Sequence, residues 1–496
     1  MRTETLRLRP FSAILSPQRI LWAIVLASWA LYFFTLVRPY PLFRFAPLSP
    51  ISLPEIARRQ PGPAFAFLGT FLTLFALYAW AFWICLRNPR AVSLPFILLS
   101  SLAMAITLAF AHPGGAGDVV DYVTHGEELF YYRENPLVVP PGYLPDTAFA
   151  RYSAYRMAPS NYGPIWTWIS ALVVGALGRE SLTANLLGFK AVAILAHQVQ
   201  ALLVFLILRR RHPELALAGT VFLAWNPLAL YEFAVNGHND ATMMAFALLG
   251  IYFWEHRSLL AMTAALVLSF LIKIPTILLL PLFLLALLRE ESGAPQTLPS
   301  IRGWATRALP ALAIVGLLVA LAYLSLPRPL EALTNLSTRS GLFTHSLPAV
   351  LYLTLQLGGL GSEHAGMLVH GLILATLAAG LIRKLRRTWE NPASVLRHAF
   401  DLVLFLLLFA TPWFQPWYVT WAVALAALFP RRQAPLQAGL LSLTVVFSYV
   451  IYGFVWFWRA DLGNWGNTLG ITLMAVAATY ILPWAYTLRV WTRGEG

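Results

Sequence analysis

The sequence predicts an all-α protein that crosses a membrane many times. Of the 496 residues, 59% are hydrophobic and 11% are charged, whereas soluble domains average roughly 25% charged residues. The apolar residues form runs of about 15 to 25, a length that suits helices crossing a hydrocarbon core about 30 Å thick. Short polar or basic segments separate these runs. We therefore expect a bundle of roughly 12–14 transmembrane helices.

The positive charge of the chain indicates how these helices are oriented. The formal net charge is +14, and the arginines cluster beside apolar runs, as in Arg209–Arg211 and Arg383–Arg387. Basic flanks of membrane helices face the cytoplasm. Arg2, Arg7 and Arg9 then place the N-terminus on the cytoplasmic side of the membrane. We expect the C-terminus on the same side, and we expect the protein in the inner (plasma) membrane. Because topology explains the charge, we expect no nucleic-acid partner.

The pattern of apolar and polar segments divides the chain into three parts. We expect residues 1–92 to form N-terminal membrane helices, of which 20–37 is a spanning helix and not a cleaved signal peptide. Residues 93–430 are expected to form a membrane core, and residues 431–496 to form C-terminal membrane helices. The longest polar stretch, 112–163, opens an extracytoplasmic loop that extends to 182. Within it, the apolar run 164–177 would reach only about 21 Å, so we expect an interfacial or re-entrant helix with Trp166 and Trp168 at headgroup level. The single cysteine, Cys85, excludes a disulfide framework.

The outer loop begins with two carboxylates that could perform acid–base chemistry. Three glycines, Gly114, Gly115 and Gly117, precede Asp118 and Asp121 and allow the chain to stay near the membrane surface. A desolvated, oriented carboxylate there could take a proton from an acceptor hydroxyl. The alternative for either residue is a solvated loop carboxylate or a helix N-cap.

A dense polar segment and an isolated lysine lie between apolar helices. Asn236, His238, Asn239 and Asp240 occupy a turn where a plain connection would not need them. His238 could donate to a phosphate and the others could bind sugar hydroxyls, unless they form a simple turn with an aspartate cap. Lys273 precedes a hinge at Pro275 and is expected at the outer end of a helical hairpin, positioned for a lipid phosphate. A snorkelling lysine is the alternative.

An aromatic segment completes the candidate outer site. Residues 411–421 read TPWFQPWYVTW and fall at the outer turn of another short helix pair. Gln415, Trp417 and Tyr418 could form a wall for a sugar ring or an isoprenoid chain. An ordinary aromatic belt at the membrane interface accounts for the same composition.

Taken together, these segments resemble the glycosyltransferase C superfamily, in particular the bacterial polyprenol-phosphate-mannose-dependent α-1,6-mannosyltransferases. The matching blocks, in order along residues 93–430, are GDVVDY at 117–122, ENPLVVPP at 134–141, SNYGPIW at 160–166, NPLALYEFAVNGHNDATMM at 226–244, LIKIP at 271–275 and QPWYVTW at 415–421. The resemblance implies that Asp118 is the catalytic base and Asp121 an accessory carboxylate. It also implies that Tyr122, Asn135 and Tyr162 shape the substrate cavity.

The function implied by the resemblance is inverting transfer of a hexose, most simply mannose, from a polyprenyl-phosphate-sugar donor to a glycolipid or glycan acceptor outside the membrane. Lys273 and His238 would stabilise the leaving phosphate. The sequence indicates no cofactor or metal ligand set, and the oxygen and nitrogen ligands present do not decide whether a divalent cation takes part. Two alternatives are a secondary transporter or lipid flippase, which predicts internal repeats, and a noncatalytic membrane assembly protein.

Overall fold

The fold is built from helices. A computed structural model describes residues 16–48, 52–115, 117–291, 301–334, 342–459 and 468–493. The predicted cytoplasmic residues Arg2, Arg7 and Arg9 lie outside these ranges. In chain order, the helices of eight residues or more are α1 Pro17–Tyr32, α2 Pro61–Arg87, α3 Leu94–Ala109, α4 Asp118–Tyr132, α5 Pro164–Leu177, α6 Leu182–Arg211, α7 Ala216–Ala224, α8 Asp240–Glu255, α9 Leu259–Ile272, α10 Leu279–Glu291, α11 Ile301–Leu324, α12 Leu347–Leu357, α13 Ser362–Glu390, α14 Val395–Phe409, α15 Val419–Ala426, α16 Ala434–Thr444 and α17 Leu469–Arg493.

The all-α polytopic prediction is confirmed. In the described part of the chain, seven stretches are long and apolar enough to cross a membrane, namely Pro17–Val37, Pro61–Arg87, Leu182–Arg211, Ser362–Glu390, Pro392–Phe409, Ala434–Trp458 and Leu469–Arg493. The same part of the chain contains seven further apolar helices of 10–17 residues. A 14-residue helix such as α9 spans only about 21 Å, so these shorter helices fall below the roughly 30 Å of a hydrocarbon core.

One long apolar run is interrupted at a proline, and the hinge predicted at another proline is present. The run 214–233 is long enough for a single helix, but α7 ends at Ala224 and the next turn begins at Pro227. A residue that precedes proline disfavours the α conformation, and the side chain of Asn226 caps the new turn by accepting from Ala229 N at 3.0 Å. The predicted hinge near Pro275 is present, because α9 stops at Ile272 and Lys273 is extended.

The outer stretch 112–163 is more ordered than the sequence predicted. It contains the 15-residue helix α4, of which eleven residues are buried. A loop was expected because polar residues are frequent here, yet Val119, Val120 and Val123 give the helix an apolar face that packs inside the molecule. Most polar side chains of α4, including Asp121, Glu127 and Glu128, are therefore buried in the interior.

Helix α5 anchors α4 and has the predicted bounds. A Cβ at Gly126 of α4 would lie 2.3 Å from the carbonyl oxygen of Ser170 in α5, so the two backbones approach to a distance that only glycine permits. Trp166 packs inside the protein, because its side chain is 1% exposed and its ring centroid lies 4.9 Å from that of Tyr122. Trp168 is half-buried and donates from Nε1 to Ser325 Oγ at 2.8 Å.

Candidate active site

Buried polar side chains from four helix ends meet at one end of the bundle. We call this group the polar cluster, and it consists of Asp118, Glu232, Asn236, His238, Asp240 and Lys273. Asp118 begins α4, Asp240 begins α8 and Lys273 follows the last residue of α9. Glu232 lies in the helical segment Tyr231–Val235, and Asn236 and His238 lie between that segment and α8. At helix termini, polar groups can enter an apolar bundle without breaking the hydrogen bonds within a helix.

A buried lysine fixes the chain that leads into this cluster. Lys190 lies in α6 and is fully buried. Its Nζ donates to the carbonyl oxygens of Ala109 at 2.9 Å and Ala111 at 2.5 Å. These carbonyls close the end of α3, where backbone acceptors have no partner within the helix. The ammonium group therefore sets the direction in which the chain leaves the helix.

After α3 the backbone passes close to the polar cluster. Gly114 N donates to Asn236 Oδ1 at 2.8 Å, and a Cβ at Gly114 would lie 1.8 Å from the hydroxyl oxygen of Tyr231. A side chain at position 114 would thus collide with Tyr231, so the close backbone path predicted here requires a glycine at this position. The chain then enters α4, whose first residue is Asp118.

His238 lies between two carboxylates. Its Nδ1 is 3.7 Å from Asp118 Oδ2 and its Nε2 is 3.4 Å from Glu232 Oε2. The imidazole stacks on Trp417, with centroids 4.0 Å apart and an interplanar angle of 18°. Burial, and secondarily the charge of Lys273, holds the pKa of His238 well below its usual value. The ring is therefore neutral near pH 7 and can donate one N–H.

Glu232 is a member of the cluster that the sequence analysis did not single out. It is fully buried, and it accepts from Tyr449 Oη at 2.5 Å and from Asn236 Nδ2 at 2.8 Å. Its position in an apolar run was the available signal, because a carboxylate is costly there unless it has partners. Tyr449 comes from a segment more than 200 residues away, so the pairing itself is not visible in the sequence.

Lys273 and Asp240 form the ion pair of the cluster. The Nζ of Lys273 lies 3.0 and 2.8 Å from the two carboxylate oxygens of Asp240. Trp421 Nε1 donates to Asp240 Oδ1 at 2.6 Å, and the ammonium lies 4.8 Å from the ring centroid of Tyr418. The lysine side chain is only 10% exposed. Lys273 thus has the partner that its apolar surroundings demand and does not snorkel.

Asp121 has different surroundings from Asp118, although both lie in the first turn of α4. Asp121 is 1% exposed and accepts a short hydrogen bond from the hydroxyl of Ser153. The side chain of Asp118 is 14% exposed and faces His238. The two carboxylates therefore do not form a pair around one reacting group.

The tyrosines and Asn239 line the cluster from the side of α4. The hydroxyl of Tyr122 accepts from Asn239 N at 3.4 Å, and the ring meets that of Tyr162 edge-on at 5.0 Å. Both atoms of the Asn239 side-chain amide are buried and have no hydrogen-bond partner in the described residues. An amide in this state is suited to contact a polar ligand.

Asn135 does not join the cluster. Its Nδ2 donates to the carbonyl oxygen of Pro327 at 2.7 Å, and its Oδ1 accepts from Leu137 N at 3.0 Å. The Nδ2 of the amide thus ties this segment to the chain at Pro327, and its Oδ1 holds the local turn. Asn135 supports the architecture of the loops, and its predicted contact with substrate has no support in these interactions.

A cavity of about 380 Å³ adjoins the cluster. Gln415 and Trp417 form part of its wall, as the aromatic segment suggested, and Tyr231 and Tyr449 face it near Glu232. Its far side carries Arg59, whose guanidinium carbon lies 3.5 Å from the ring centroid of Phe457. The cavity therefore combines aromatic faces with polar groups, a composition typical of small-molecule binding sites. Among the described side chains, no group of three or more His, Cys, Asp or Glu is arranged to hold a metal ion.

Comparison with known families identifies the chain. A model described as "Alpha-(1->6)-mannopyranosyltransferase, N-terminal domain" matches residues 36–289, about half of the sequence. The chain belongs to this mannosyltransferase family. No individually curated protein matches it.

The family assignment places the protein among membrane-embedded glycosyltransferases. The matched region of this mannosyltransferase contains every member of the polar cluster. It ends before Trp417, Tyr418, Trp421 and Tyr449, which close the cluster from the C-terminal half. Both halves of the chain are therefore needed to complete the candidate site.

Proposed function

We propose that the protein transfers mannose, with inversion, from a polyprenyl-phosphate-linked donor to a hydroxyl of a glycolipid or glycan acceptor, and that Asp118 is the base. The observation that carries this proposal is the accessibility of Asp118. Its side chain is 14% exposed, whereas those of Glu232 and Asp240 are fully buried. Asp118 is thus the carboxylate of the cluster that a substrate can reach.

The proposed reaction has one bond-forming and one bond-breaking step at the anomeric carbon. Asp118 takes the proton of the acceptor hydroxyl as its oxygen attacks that carbon. The bond from the anomeric carbon to the phosphate oxygen breaks, and polyprenyl phosphate leaves with the electron pair. Attack opposite the leaving group inverts the configuration.

Lys273 is our candidate for stabilising the phosphate as it leaves. An ammonium has three N–H donors, and Asp240 takes two of them, so one remains for a phosphate oxygen. The neutral ring of His238 supplies one more donor. Because Asp240 is occupied by Lys273 and Trp421, we assign it to positioning the lysine, and we assign sugar contacts to Asn236, Asn239 and the wall of Gln415, Trp417 and Tyr418.

The proposed orientation follows the distribution of charge. The polar cluster lies at one end of the bundle, and Arg209–Arg211 and Arg383–Arg387 lie near the C-terminal ends of α6 and α13, which run away from it. Basic residues face the cytoplasm, which supports an extracytoplasmic site, cytoplasmic termini and placement in the inner (plasma) membrane. The glycosyltransferase family favours this function over a transporter, a flippase or a noncatalytic assembly protein.

The decisive experiment compares two neighbouring carboxylates in the purified protein. Mannose transfer from radiolabelled polyprenyl-phosphate-mannose to membrane lipids is measured for wild type, Asp118→Asn and Asp121→Asn. All three are matched by size-exclusion profile and thermal unfolding. We expect Asp118→Asn to lose roughly 10²- to 10⁴-fold in rate, the usual contribution of a general base, and Asp121→Asn to retain most of the wild-type rate.

Other outcomes would revise specific parts of the proposal. Loss of transfer in Asp121→Asn alone would reassign the base. Wild-type transfer from a nucleotide-mannose donor, with none from the lipid-linked donor, would refute the proposed donor class. Repeating the wild-type assay with EDTA tests whether a divalent cation takes part, and a large loss of rate that added Mg²⁺ or Mn²⁺ restores would add a metal to the mechanism.

A further inference from the structure

A second cavity, of about 510 Å³, lies at the other end of the bundle, where α13, α14 and the end of α17 meet. Helix α14 connects the two ends, because it starts beside this cavity and finishes just before the aromatic segment of the active site. Its 15 residues correspond to about 22 Å. The second cavity is therefore separate from the polar cluster.

The walls of this cavity carry an excess of positive charge. Arg383, Lys384, Arg387 and Arg397 line it together with one carboxylate, Asp401. Asp401 is shared, because Lys384 Nζ lies 2.6 Å from Oδ2 and Arg397 Nε lies 2.9 Å from Oδ1. In the described residues neither Arg383 nor Arg387 has an acidic partner. Four cationic side chains thus surround a single anionic one.

Arg397 shows that the excess charge extends below the surface. Its Nη1 and Nη2 are buried and have no hydrogen-bond acceptor in the parts of the chain described here. A buried guanidinium donor without an acceptor is unfavourable, and a phosphate oxygen is the acceptor that its geometry suits best. Arg397 also lines a neighbouring cavity with Arg211, Arg431 and Arg432.

The opposite wall of the cavity is apolar. Leu402 and Phe405 continue along α14 beyond Asp401, and Val490 and Trp491 face them from α17. Leu402 and Phe405 lie one residue and one turn deeper than Asp401 toward the middle of α14. The cavity is therefore lined by cationic side chains at one side and by apolar side chains deeper in the bundle. Binding of a soluble anion would need only the cationic side chains.

We propose that this cavity binds an anionic phospholipid. The phosphate headgroup of the lipid contacts Arg383, Arg387 and Arg397, and one of its acyl chains lies along Phe405 and Trp491. Basic pockets between membrane helices bind acidic headgroups in this way. Nothing in the proposed transfer reaction uses these residues, so the lipid is a structural or modulating ligand and not a substrate.

The test uses the full-length protein in neutral detergent and measures the rise in unfolding temperature as a ligand is added. The three ligands are dioleoylphosphatidylglycerol, dioleoylphosphatidylcholine and inorganic phosphate. We expect stabilisation by phosphatidylglycerol alone. A basic residue near an anionic lipid surface contributes roughly a fivefold gain in binding. Arg383→Gln/Arg387→Gln removes two such residues and should therefore need roughly 25-fold more phosphatidylglycerol for the half-maximal effect.

A matched variant removes the same charge at the same end of the bundle but outside the cavity. Arg209 and Arg210 are exposed and do not line this cavity, so Arg209→Gln/Arg210→Gln should keep the wild-type response. Equal weakening in both double variants would refute a specific site. Equal stabilisation by inorganic phosphate would replace the lipid with a soluble anion, and equal stabilisation by phosphatidylcholine would show that headgroup charge is irrelevant.

Discussion

A lysine–aspartate pair lies at each end of the bundle, and the two pairs have different third partners. Lys273 and Asp240 approach to 2.8 Å in the polar cluster, and Lys384 and Asp401 approach to 2.6 Å at the basic end. In the first pair the neutral indole of Trp421 donates to the carboxylate. In the second, Arg397 contributes a further cation.

The third partner decides what each pair can do. A neutral donor leaves Lys273 and Asp240 balanced in charge, so the pair can stay buried in a low-dielectric site and keep a fixed geometry. A second cation leaves Lys384, Arg397 and Asp401 with a net positive charge, which favours an anionic ligand. The same two residue types therefore serve positioning at one end and anion attraction at the other.

Removal of the lysine from the balanced pair should have the largest effect on stability. Lys273→Met leaves Asp240 buried without a cation, and we expect a loss of about 3–5 kcal/mol in the free energy of unfolding. Equilibrium unfolding in mixed detergent micelles measures it. Lys273→Met/Asp240→Asn removes both charges and should recover most of the loss. A double variant as unstable as the single one would contradict the ion-pair explanation.

The corresponding change at the basic end should cost less. Lys384→Met leaves Asp401 with Arg397 as a partner, so we expect a loss of roughly 1.5–3 kcal/mol, the range of a hydrogen bond to a charged group. The same unfolding experiment compares the two lysine variants directly. A loss as large as that of Lys273→Met would show that Arg397 does not compensate, and the contrast between the two pairs would fail.

His238 should make the active-site end sensitive to acid. Burial lowers its pKa in the folded protein from about 6.5 in an unfolded chain. Above about pH 6.5 the ring is neutral in both states, so protonation of His238 does not reduce the stability there. As the pH falls below this value the unfolded chain binds a proton that the folded site resists, and stability declines by up to about 1.4 kcal/mol per pH unit. His238→Gln should reduce this decline between pH 6.5 and 5.5.

The control for this pH dependence is an exposed histidine. His256 lies at the end of α8 and outside the polar cluster, so His256→Gln should retain the wild-type decline. If His238→Gln and wild type lose stability in parallel over this range, His238 does not carry the acid sensitivity.

An exposed ion pair provides the smallest expected effect. Arg328 Nη2 lies 2.6 Å from Glu134 Oε2, but the two side chains are 41% and 38% exposed. Arg328→Gln should change the free energy of unfolding by less than about 1 kcal/mol, because solvent and salt screen such pairs. Thermal unfolding at low and high salt checks this value. A loss comparable to that of Lys384→Met would mean that exposure does not separate the pairs.

The sequence indicated which segments contain the site better than it indicated the contacts. Asn236–Asp240 and Lys273 stood out because polar groups among apolar residues need a reason, and they do meet in the structure. Glu232 belonged to the same segment and was overlooked. Asn135 was assigned to the site by resemblance, yet its amide joins two outer segments, which local sequence could not reveal.

Composition and hydrophobic pattern by themselves determined the all-α membrane class, the bounds of α5 and the hinge at Lys273, because these depend on residues close together in the chain. Tertiary structure alone decided that α4 is buried, that Asp118 is the more accessible of the two aspartates, and that Tyr449 and Trp421 complete the cluster. These outcomes depend on which helix faces pack together, over separations from 32 residues between Asp121 and Ser153 to 217 between Glu232 and Tyr449. The local pattern carries no information about such pairings.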